Sequence, residues 1–262
     1  MHRSTWITRA VIALSVLVLL TLWHIGAVLL DAQVLLPQPS TTAAALVSLV
    51  QQSPFSLNVL GTIGRALRSF LIIFLTGGIL GILAGYEKHF HAFLTPLVVI
   101  CKATPVMSVI LLAFIWFSSG TVPVFSAFLM GFPVMFVQME QGVHHISPRL
   151  QEMTVAYGFS PMRRLIHLVV PSLVPSIITG AKASLSMVWK VVIAAEVLTV
   201  PRYGVGSRMQ LAQVHLDTAE VLAWTCIAVL LTALGDLLFI ALLRIPALFV
   251  RKHRKEVQEV RP

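Results

Sequence analysis

The sequence predicts an all-α protein that crosses a lipid bilayer about six times. Hydrophobic residues occupy 57% of the 262 positions, charged residues occupy only 11%, and the mean hydropathy is +0.90. Soluble domains carry roughly 25% charged residues, so this composition excludes that class. Apolar runs recur near the ~20 residues that a spanning helix needs, and they lack the alternating ~10-residue pattern of a membrane β-barrel.

Six apolar runs define the predicted spans, which are 11–30, 66–86, 93–117, 122–139, 174–200 and 221–245. The first run is too long for a signal peptide and lacks a clear small-x-small exit, so we expect it to remain as a span. Between the first two spans, Pro37, Pro39 and Ser40 are predicted to end an extended piece and to cap a short surface helix. We therefore expect a single membrane domain over 1–262, with an N-terminal span 11–30, a core from about 57 to 245 and a basic tail 246–262.

Lys and Arg residues decide the predicted orientation. With the N-terminus in the cytoplasm, twelve of them fall inside and only Arg65, Arg68, Arg202 and Arg208 fall outside. Cytoplasmic loops are enriched in Lys and Arg, so both termini are predicted to be cytoplasmic. The formal net charge of +9 is attributed to this signal and to anionic lipid, and no nucleic-acid partner is expected.

The most polar stretch, "SPRLQEMTVAYGFSPMRRL", lies between two long apolar runs on the predicted cytoplasmic side. Ser147 is predicted to be a helix N-cap with Pro148 at the first helical position, and Gly158 to end the helix in the left-handed conformation. A second helix is predicted from Ser160 until an interruption at Pro171.

The first of these two helices carries an apolar face. Leu150, Met153 and Tyr157 share that face by their three- and four-residue spacing, whereas Arg149 and Glu152 lie off it. Because an isolated helix of about nine residues is not stable in water, we expect it to dock into a partner.

Ionisable residues inside predicted spans are costly and are candidate functional sites. They are Lys102, Lys182, Lys190, Glu196 and Asp236, with Glu140 near an end. Similar depths predict a Lys182–Asp236 pair, and the alternative is that Lys182 extends to the headgroups. Lys190 is a candidate for facing an anionic substrate, and the alternative is a pair with Glu196 or a carbonyl.

The fifth span carries a further pattern, because Lys182, Trp189 and Glu196 recur every seven residues on one stripe. Glu196 is predicted near the outer entrance of a pore. In the third span, Pro105 is a candidate break that would be tolerated where it lines a cavity. Small residues in the second span, Gly77, Gly78, Gly81 and Gly85, are predicted to allow close helix contact.

Five positions resemble a known signature. Glu152, Gly158, Leu168, Val170 and Pro171 stand at the spacing of the E-A-A, three residues, G, nine residues, I-x-L-P motif found in the permeases of binding-protein-dependent ABC importers. Met153 and Thr154 replace the two usual alanines. The stretches "PVMSVILLAFIWFSSG", "WKVVIAAEVL" and "YGVG" resemble the taurine, sulfonate and nitrate branch of that family.

The resemblance implies a bacterial inner-membrane importer. Two copies would form the pore, and an extracytoplasmic solute-binding protein would deliver a small anion. Each copy would dock its short cytoplasmic helix, the coupling helix, onto one of two ATPase subunits. The coupling residues would be Arg149, Leu150, Glu152, Met153, Ala156, Tyr157 and Gly158. Pro105, Trp189, Lys190 and Glu196 are the candidates for the translocation path.

Several other functions are less consistent with the sequence. No G-x-x-x-x-G-K-[ST] loop occurs, so ATP and Mg²⁺ are expected on the partner subunit, and the chain is expected to be neither an enzyme nor a cofactor carrier. A secondary transporter driven by an ion gradient is the main alternative, although it would usually show an internal repeat and more spans. His89, His91, His144 and His145 are interpreted as solvated residues rather than metal ligands.

Overall fold

Helices form all the regular secondary structure in the described part of the chain, which comprises the backbone of residues 2–259 and the side chains of residues 7–160 and 162–242 of a computed structural model. The all-α prediction is confirmed. The helices are α1 His2–Leu30, α2 Pro39–Gln51, α3 Phe55–Tyr86, α4 Lys88–Ala103, α5 Val106–Trp116, α6 Val122–His144, α7 Pro148–Ala156, α8 Pro161–Arg164, α9 Val170–Thr199, α10 Val205–Val214 and α11 Thr218–Glu259.

Among the residues that the structure describes, five helical stretches are long and apolar enough to cross a membrane, and one bent pair of helices is a candidate for a sixth crossing. The five lie at Ile7–Leu30, Phe55–Tyr86, Val122–His144, Met162–Thr199 and Thr218–Leu242. Helices α4 and α5 meet that criterion only together, and their axes differ by 103°. The chain is therefore a multi-pass membrane protein. Its predicted division into an N-terminal span, a core and a tail stays a prediction, and the side chains of the tail 246–262 lie outside the described residues.

The relative direction of α3 and α6 shows whether the bent α4–α5 pair crosses the membrane. Ser69, near the middle of α3, donates a hydrogen bond at 3.5 Å to the carbonyl of Val124, near the start of α6. Near their ends, Gly85 faces Val143. Residue numbers thus rise together, so α3 and α6 run parallel. The segment 87–121 must return the chain across the membrane, and the α4–α5 pair makes the sixth crossing.

Glycines allow this close contact between α3 and α6. A Cβ added to Gly77 would lie 2.9 Å from the Cβ of Met135, and one added to Gly81 would lie 2.8 Å from the Cβ of Met139. Real Cβ atoms do not approach so closely, so larger residues would force the helices apart. The predicted packing role is confirmed for these positions, whereas a Cβ on Gly78 would make only an ordinary 3.8 Å contact.

The third predicted span, 93–117, is broken at Pro105, the residue predicted as a candidate break. Thr104 (φ −74°, ψ 127°) and Pro105 (φ −62°, ψ 134°) are both extended between α4 and α5. The residue before a proline is disfavoured in the helical region, and proline offers no N–H, which together end α4. The elbow encloses an apolar cavity of about 200 Å³ lined by Cys101, Trp116 and Phe125 among others.

Two smaller boundary predictions also need correction. Helix α3 begins at Phe55 rather than at residue 66, so Arg65 lies within the helix. The short surface helix is present as α2, but its N-cap is Gln38, and Ser40 lies in its first turn.

Helix α1 packs little against the other helices and is mostly exposed. Its Trp23 Nε1 donates a hydrogen bond to the carbonyl of Pro37 at 3.0 Å.

Candidate functional site

The short polar helix α7 has the predicted ends. Ser147 occupies the N-cap position with Pro148 next, although the Ser147 side chain makes no capping bond. At the other end Gly158 adopts φ +64°. Its N–H donates to Val155 O at 3.0 Å and the Phe159 N–H donates to Thr154 O at 2.9 Å. This bond pair is the Schellman arrangement, which requires a left-handed residue that glycine supplies without strain.

All seven predicted coupling residues are solvent-exposed in the protomer; they are Arg149, Leu150, Glu152, Met153, Ala156, Tyr157 and Gly158. Tyr157 is 76% exposed, whereas Leu150 and Met153 are 42% and 43% exposed. Leu150 and Met153 are less exposed because they flank Thr154, the buried residue of this helix. The exposed surface is therefore mixed, with apolar side chains along one flank and Arg149 and Glu152 on the outward side.

A polar contact fixes α7 to the start of the following helix. Arg164 Nη2 donates to Gln151 Oε1 at 3.0 Å, and Thr154 Oγ1 donates to Gln151 O at 2.7 Å. A cavity of about 280 Å³ lies behind this contact, lined by Tyr86, Phe159 and other residues. Helix α7 is thus attached on its inner face and free on its outer face.

The predicted interruption at Pro171 is wrong, because the chain stays helical through it. Residues Leu165–Val169 form a wider π turn in which the Val170 N–H donates to Leu165 O, five residues earlier. A proline in a regular helix clashes with the carbonyl four residues before it, and a widened turn moves that carbonyl away. The helical stretch from Met162 to Thr199 is consequently continuous from the α7 contact across the membrane.

At the opposite end of α9, a buried ion pair joins two spans. Arg65 Nη1 lies 2.6 Å from Glu196 Oε1, and the Glu196 side chain is fully buried. Thr62 Oγ1 donates to Glu196 Oε2 at 2.8 Å, and the Gly206 N–H donates to the same oxygen at 3.1 Å. The carboxylate thus has one cationic and two neutral donors, as a buried charge requires.

The same cluster holds the predicted outer turn Tyr203–Gly206. Arg65 Nη2 donates to Tyr203 O at 2.7 Å, the Gly204 N–H donates to Asn58 Oδ1 at 3.2 Å, and the Val205 N–H donates to Thr62 Oγ1 at 2.9 Å. These N–H groups open α10, where a helix leaves its first donors unsatisfied. Side chains from α3 and α9 therefore cap α10 and fix it to the bundle.

Two of the four candidates for the translocation path are enclosed within the protomer. Glu196 is occupied by Arg65, and Trp189 is only 3% exposed. A Cβ on Gly235 of α11 would lie 2.7 Å from the Trp189 ring, so α11 covers this side of α9. The predicted Lys182–Trp189–Glu196 stripe therefore does not line a path as a unit. Pro105 and Lys190 are exposed.

The predicted Lys182–Asp236 pair is not formed. It is absent from the ion pairs of the described side chains, and Ser186 Oγ donates to Asp236 Oδ2 at 2.8 Å instead. Ser186 lies one turn beyond Lys182, so Asp236 lies about 6 Å closer to the C-terminal end of α9 than predicted. The alternative pair of Lys190 with Glu196 is excluded by Arg65.

Two of the four predicted solvated histidines, His89 and His91, contact carboxylates near the predicted cytoplasmic side. His91 Nδ1 lies 2.6 Å from Glu140 Oε1, and His89 Nδ1 lies 2.7 Å from Glu87 Oε1. The hydrogen bonds from His89 hold the pKa of Glu87 below its ordinary value. Within the described residues, no cluster of three metal-ligating side chains occurs.

The chain matches a known protein family. Residues 77–252 match the family of binding-protein-dependent transport system inner membrane components. The chain belongs to this family. The matched region includes α7, the π turn and α9, so the expectation drawn from the Glu152–Pro171 spacing is confirmed.

Individual permeases are similar over most of their length. The putative aliphatic sulfonates transport permease of Bacillus subtilis is 26% identical over 84% of this chain and 80% of its own. The taurine transport system permease of Escherichia coli is 25% identical over 84% and 82%. A putative ABC transporter permease of Methanocaldococcus jannaschii is 26% identical over 71% of both. The resemblance to the sulfonate and taurine branch is thereby confirmed.

Sequence reasoning missed the Arg65 cluster in this permease. Asn58, Thr62, Arg65 and Ser69 follow one another at intervals of four, three and four residues, which places them on one face of α3. That polar face in an apolar helix was the available signal. It was lost because Arg65 was assigned to a loop preceding the span.

Proposed function

We propose that this permease is the membrane-spanning subunit of an ATP-driven importer, coupled through α7 to a separate cytoplasmic ATPase that binds ATP and Mg²⁺. The observation that carries the proposal is the attachment of α7, whose inner face is bonded to Arg164 while seven residues remain exposed. An exposed helix of nine residues gains stability from a partner surface. Its apolar flank suits a cleft, and Arg149 and Glu152 suit the polar rim of such a cleft.

Motion of the ATPase would reach the membrane through one continuous helix. Gln151 and Arg164 connect α7 to the stretch Met162–Thr199, which ends beside the Arg65–Glu196 cluster. A displacement of α7 would therefore move the outer turn 203–206 as part of a rigid body. Such a motion provides alternating access.

The proposed assembly contains two copies of this chain, two ATPase subunits and an extracytoplasmic solute-binding protein. It lies in the bacterial inner membrane with both termini in the cytoplasm, the orientation that Lys and Arg residues favour. The transported solute is a small anion of the sulfonate or taurine kind. The named functions of two relatives and the exposed ammonium group of Lys190 support this class.

An ion-gradient-driven transporter is the alternative function, and the main reason for considering it is now weaker. It rested on ionisable residues inside spans, which such transporters use to bind coupling ions. Glu196 is committed to Arg65, and Asp236 accepts from Ser186. Their hydrogen bonds assign these carboxylates to structural contacts.

Reconstitution separates the two functions. The permease, its ATPase and its binding protein are placed in proteoliposomes, and uptake of labelled taurine and methanesulfonate is measured. We expect uptake that requires ATP and the ATPase subunit and that survives proton and sodium ionophores. If uptake occurred without the ATPase and if ionophores abolished that uptake, the proposal would be overturned.

A further inference from the structure

Helix α9 presents an exposed polar face within the membrane. Thr179, Lys182, Ser186 and Lys190 follow at intervals of three, four and four residues, so they share one face of the helix. Thr179 and both lysines are exposed, and Ser186 is half-buried. The opposite face is formed by buried residues such as Ser184, Val188 and Ala195.

The two lysines have no acidic partner within ion-pair distance among the described side chains. The nearest candidates by sequence are committed elsewhere, since Glu196 bonds Arg65 and Asp236 accepts from Ser186. Asp236 lies beside the face and contributes one negative charge. The face therefore carries two ammonium groups for one carboxylate, a positive balance in each protomer.

Lys190 lies too deep for contact with lipid headgroups. It precedes the outer end of α9 at Thr199 by nine residues, or about 14 Å, close to half the ~30 Å thickness of the hydrocarbon core. A charged residue facing lipid at that depth costs about 2.5–3.5 kcal/mol or more. Lys182, about 12 Å further in, can extend to the inner headgroups.

We infer that this face of α9 meets the same face of a second copy, and that the two Lys190 ammonium groups together hold the transported anion near the middle of the bilayer. The face points away from its own bundle, so one protomer cannot enclose the anion, and a second copy supplies the missing wall. Two cationic faces repel unless an anion lies between them. Lys182 and Ser186 of each copy continue the polar lining toward the cytoplasm.

This inference rests on the proposed importer, but its geometry is measurable without transport. The full-length permease, with Cys101→Ala and Cys226→Ala, is expressed in membranes as Lys190→Cys. A matched control is Val229→Cys, because Val229 is 62% exposed on the apolar surface of α11. Both variants are treated with the anionic reagent 2-sulfonatoethyl methanethiosulfonate and, separately, with a flexible bismaleimide.

We expect Lys190→Cys to react at least about tenfold faster than Val229→Cys, since only a hydrated thiol ionises readily. We also expect the bismaleimide to cross-link Lys190→Cys into homodimers. Equal, slow reaction of both variants would show that Lys190 faces lipid and would overturn the inference. Labelling without a homodimer band would contradict the second copy as the opposite wall.

Uptake then tests the anion-holding role. In the reconstituted complex, Lys190→Gln should lower taurine uptake by at least about tenfold, Lys190→Arg should retain most of it, and Val229→Leu should leave it unchanged. If Lys190→Gln took up taurine as fast as the parent protein, the proposed anion site would be wrong. Failure of ATP-dependent uptake in the parent protein would instead contradict the proposed importer, while the labelling pattern would still report on the α9 face.

Discussion

Arg65 and Glu196, 131 residues apart in the chain, form an ion pair 2.6 Å long with the carboxylate side chain fully buried. The pair joins the N-terminal half of α3 to the C-terminal end of α9, and its remaining hydrogen bonds cap α10. Three helices are thus fixed to one another at a single polar cluster. Loss of this cluster should lower the stability of the fold rather than block one particular step of transport.

Removing only one member of this pair should be strongly destabilising. Arg65→Met leaves the Glu196 carboxylate buried without its cation, and breaking a buried pair in this way costs about 3–5 kcal/mol. We expect a markedly lower thermal unfolding temperature for the detergent-purified permease, measured by tryptophan fluorescence. Glu196→Gln should cost less, because the amide oxygen can still accept from Thr62 or Gly206.

The double variant Arg65→Met with Glu196→Gln provides the control for this prediction. Removing both charges leaves no uncompensated ion, so its unfolding temperature should lie above that of Arg65→Met alone. Additive losses in the double variant would show that the two side chains do not stabilise each other.

The left-handed conformation of Gly158 should be essential for coupling. Gly158→Val places a β-branched residue at φ +64°, which costs roughly 1–2 kcal/mol and disfavours the bond pair that ends α7. We expect normal membrane insertion but weak coupling, measured as taurine uptake per ATP hydrolysed. Because open space surrounds the position, the strain lies in the backbone.

Gly158→Asn is the matched variant, since asparagine tolerates the left-handed region better than other residues. It should retain most of the coupling. Normal transport by Gly158→Val would contradict the proposed geometry of docking.

The bond between Gln151 and Arg164 should transmit force from α7 to α9. Arg164→Met removes this bond, and hydrogen bonds to charged groups contribute about 1.5–3 kcal/mol. We expect uptake per ATP to fall while the ATPase still copurifies with the permease. Arg163→Met is the control, because the Arg163 side chain is exposed. An equal loss in both variants would indicate a general charge effect.

The contact between α3 and α6 predicts opposite effects for neighbouring glycines. Gly81→Ala would place its Cβ 2.8 Å from that of Met139, and such overpacking costs about 1–3 kcal/mol. Gly78→Ala has room, and alanine is favoured over glycine in a helix by about 0.5–1 kcal/mol. Thermal unfolding should therefore give a decrease for Gly81→Ala and no decrease for Gly78→Ala. Similar stability of both variants would contradict the packing.

The sequence predicts those features that depend on local chemistry. Apolar runs predict the spans, and the Ser-Pro and Gly signals give α7 its correct ends because caps act over a few residues. Pro105 was only a candidate break within the predicted span 93–117, since a proline inside an apolar run is compatible with either a kink or a break, and the structure shows the break. The π turn before Pro171 was not predicted, because it depends on how a continuous helix accommodates a proline.

The polar contacts between distant helices were the least predictable. The Lys182–Asp236 pair failed because depth counted from uncertain helix ends was wrong by one turn. Arg65 was missed as the partner of Glu196 because a misplaced helix start removed it from the candidates. In both cases the register between packed helices, which no single segment encodes, decides which charges meet.

Docking of α7 onto the ATPase is measured most directly by a density map of the permease purified together with its ATPase subunits. We expect Pro148–Tyr157 to lie in a cleft of each ATPase subunit, with Arg149, Glu152 and Ala156 buried at the contact. A map with this helix free in solvent, or on the opposite side of the bilayer from the ATPase, would contradict this docking.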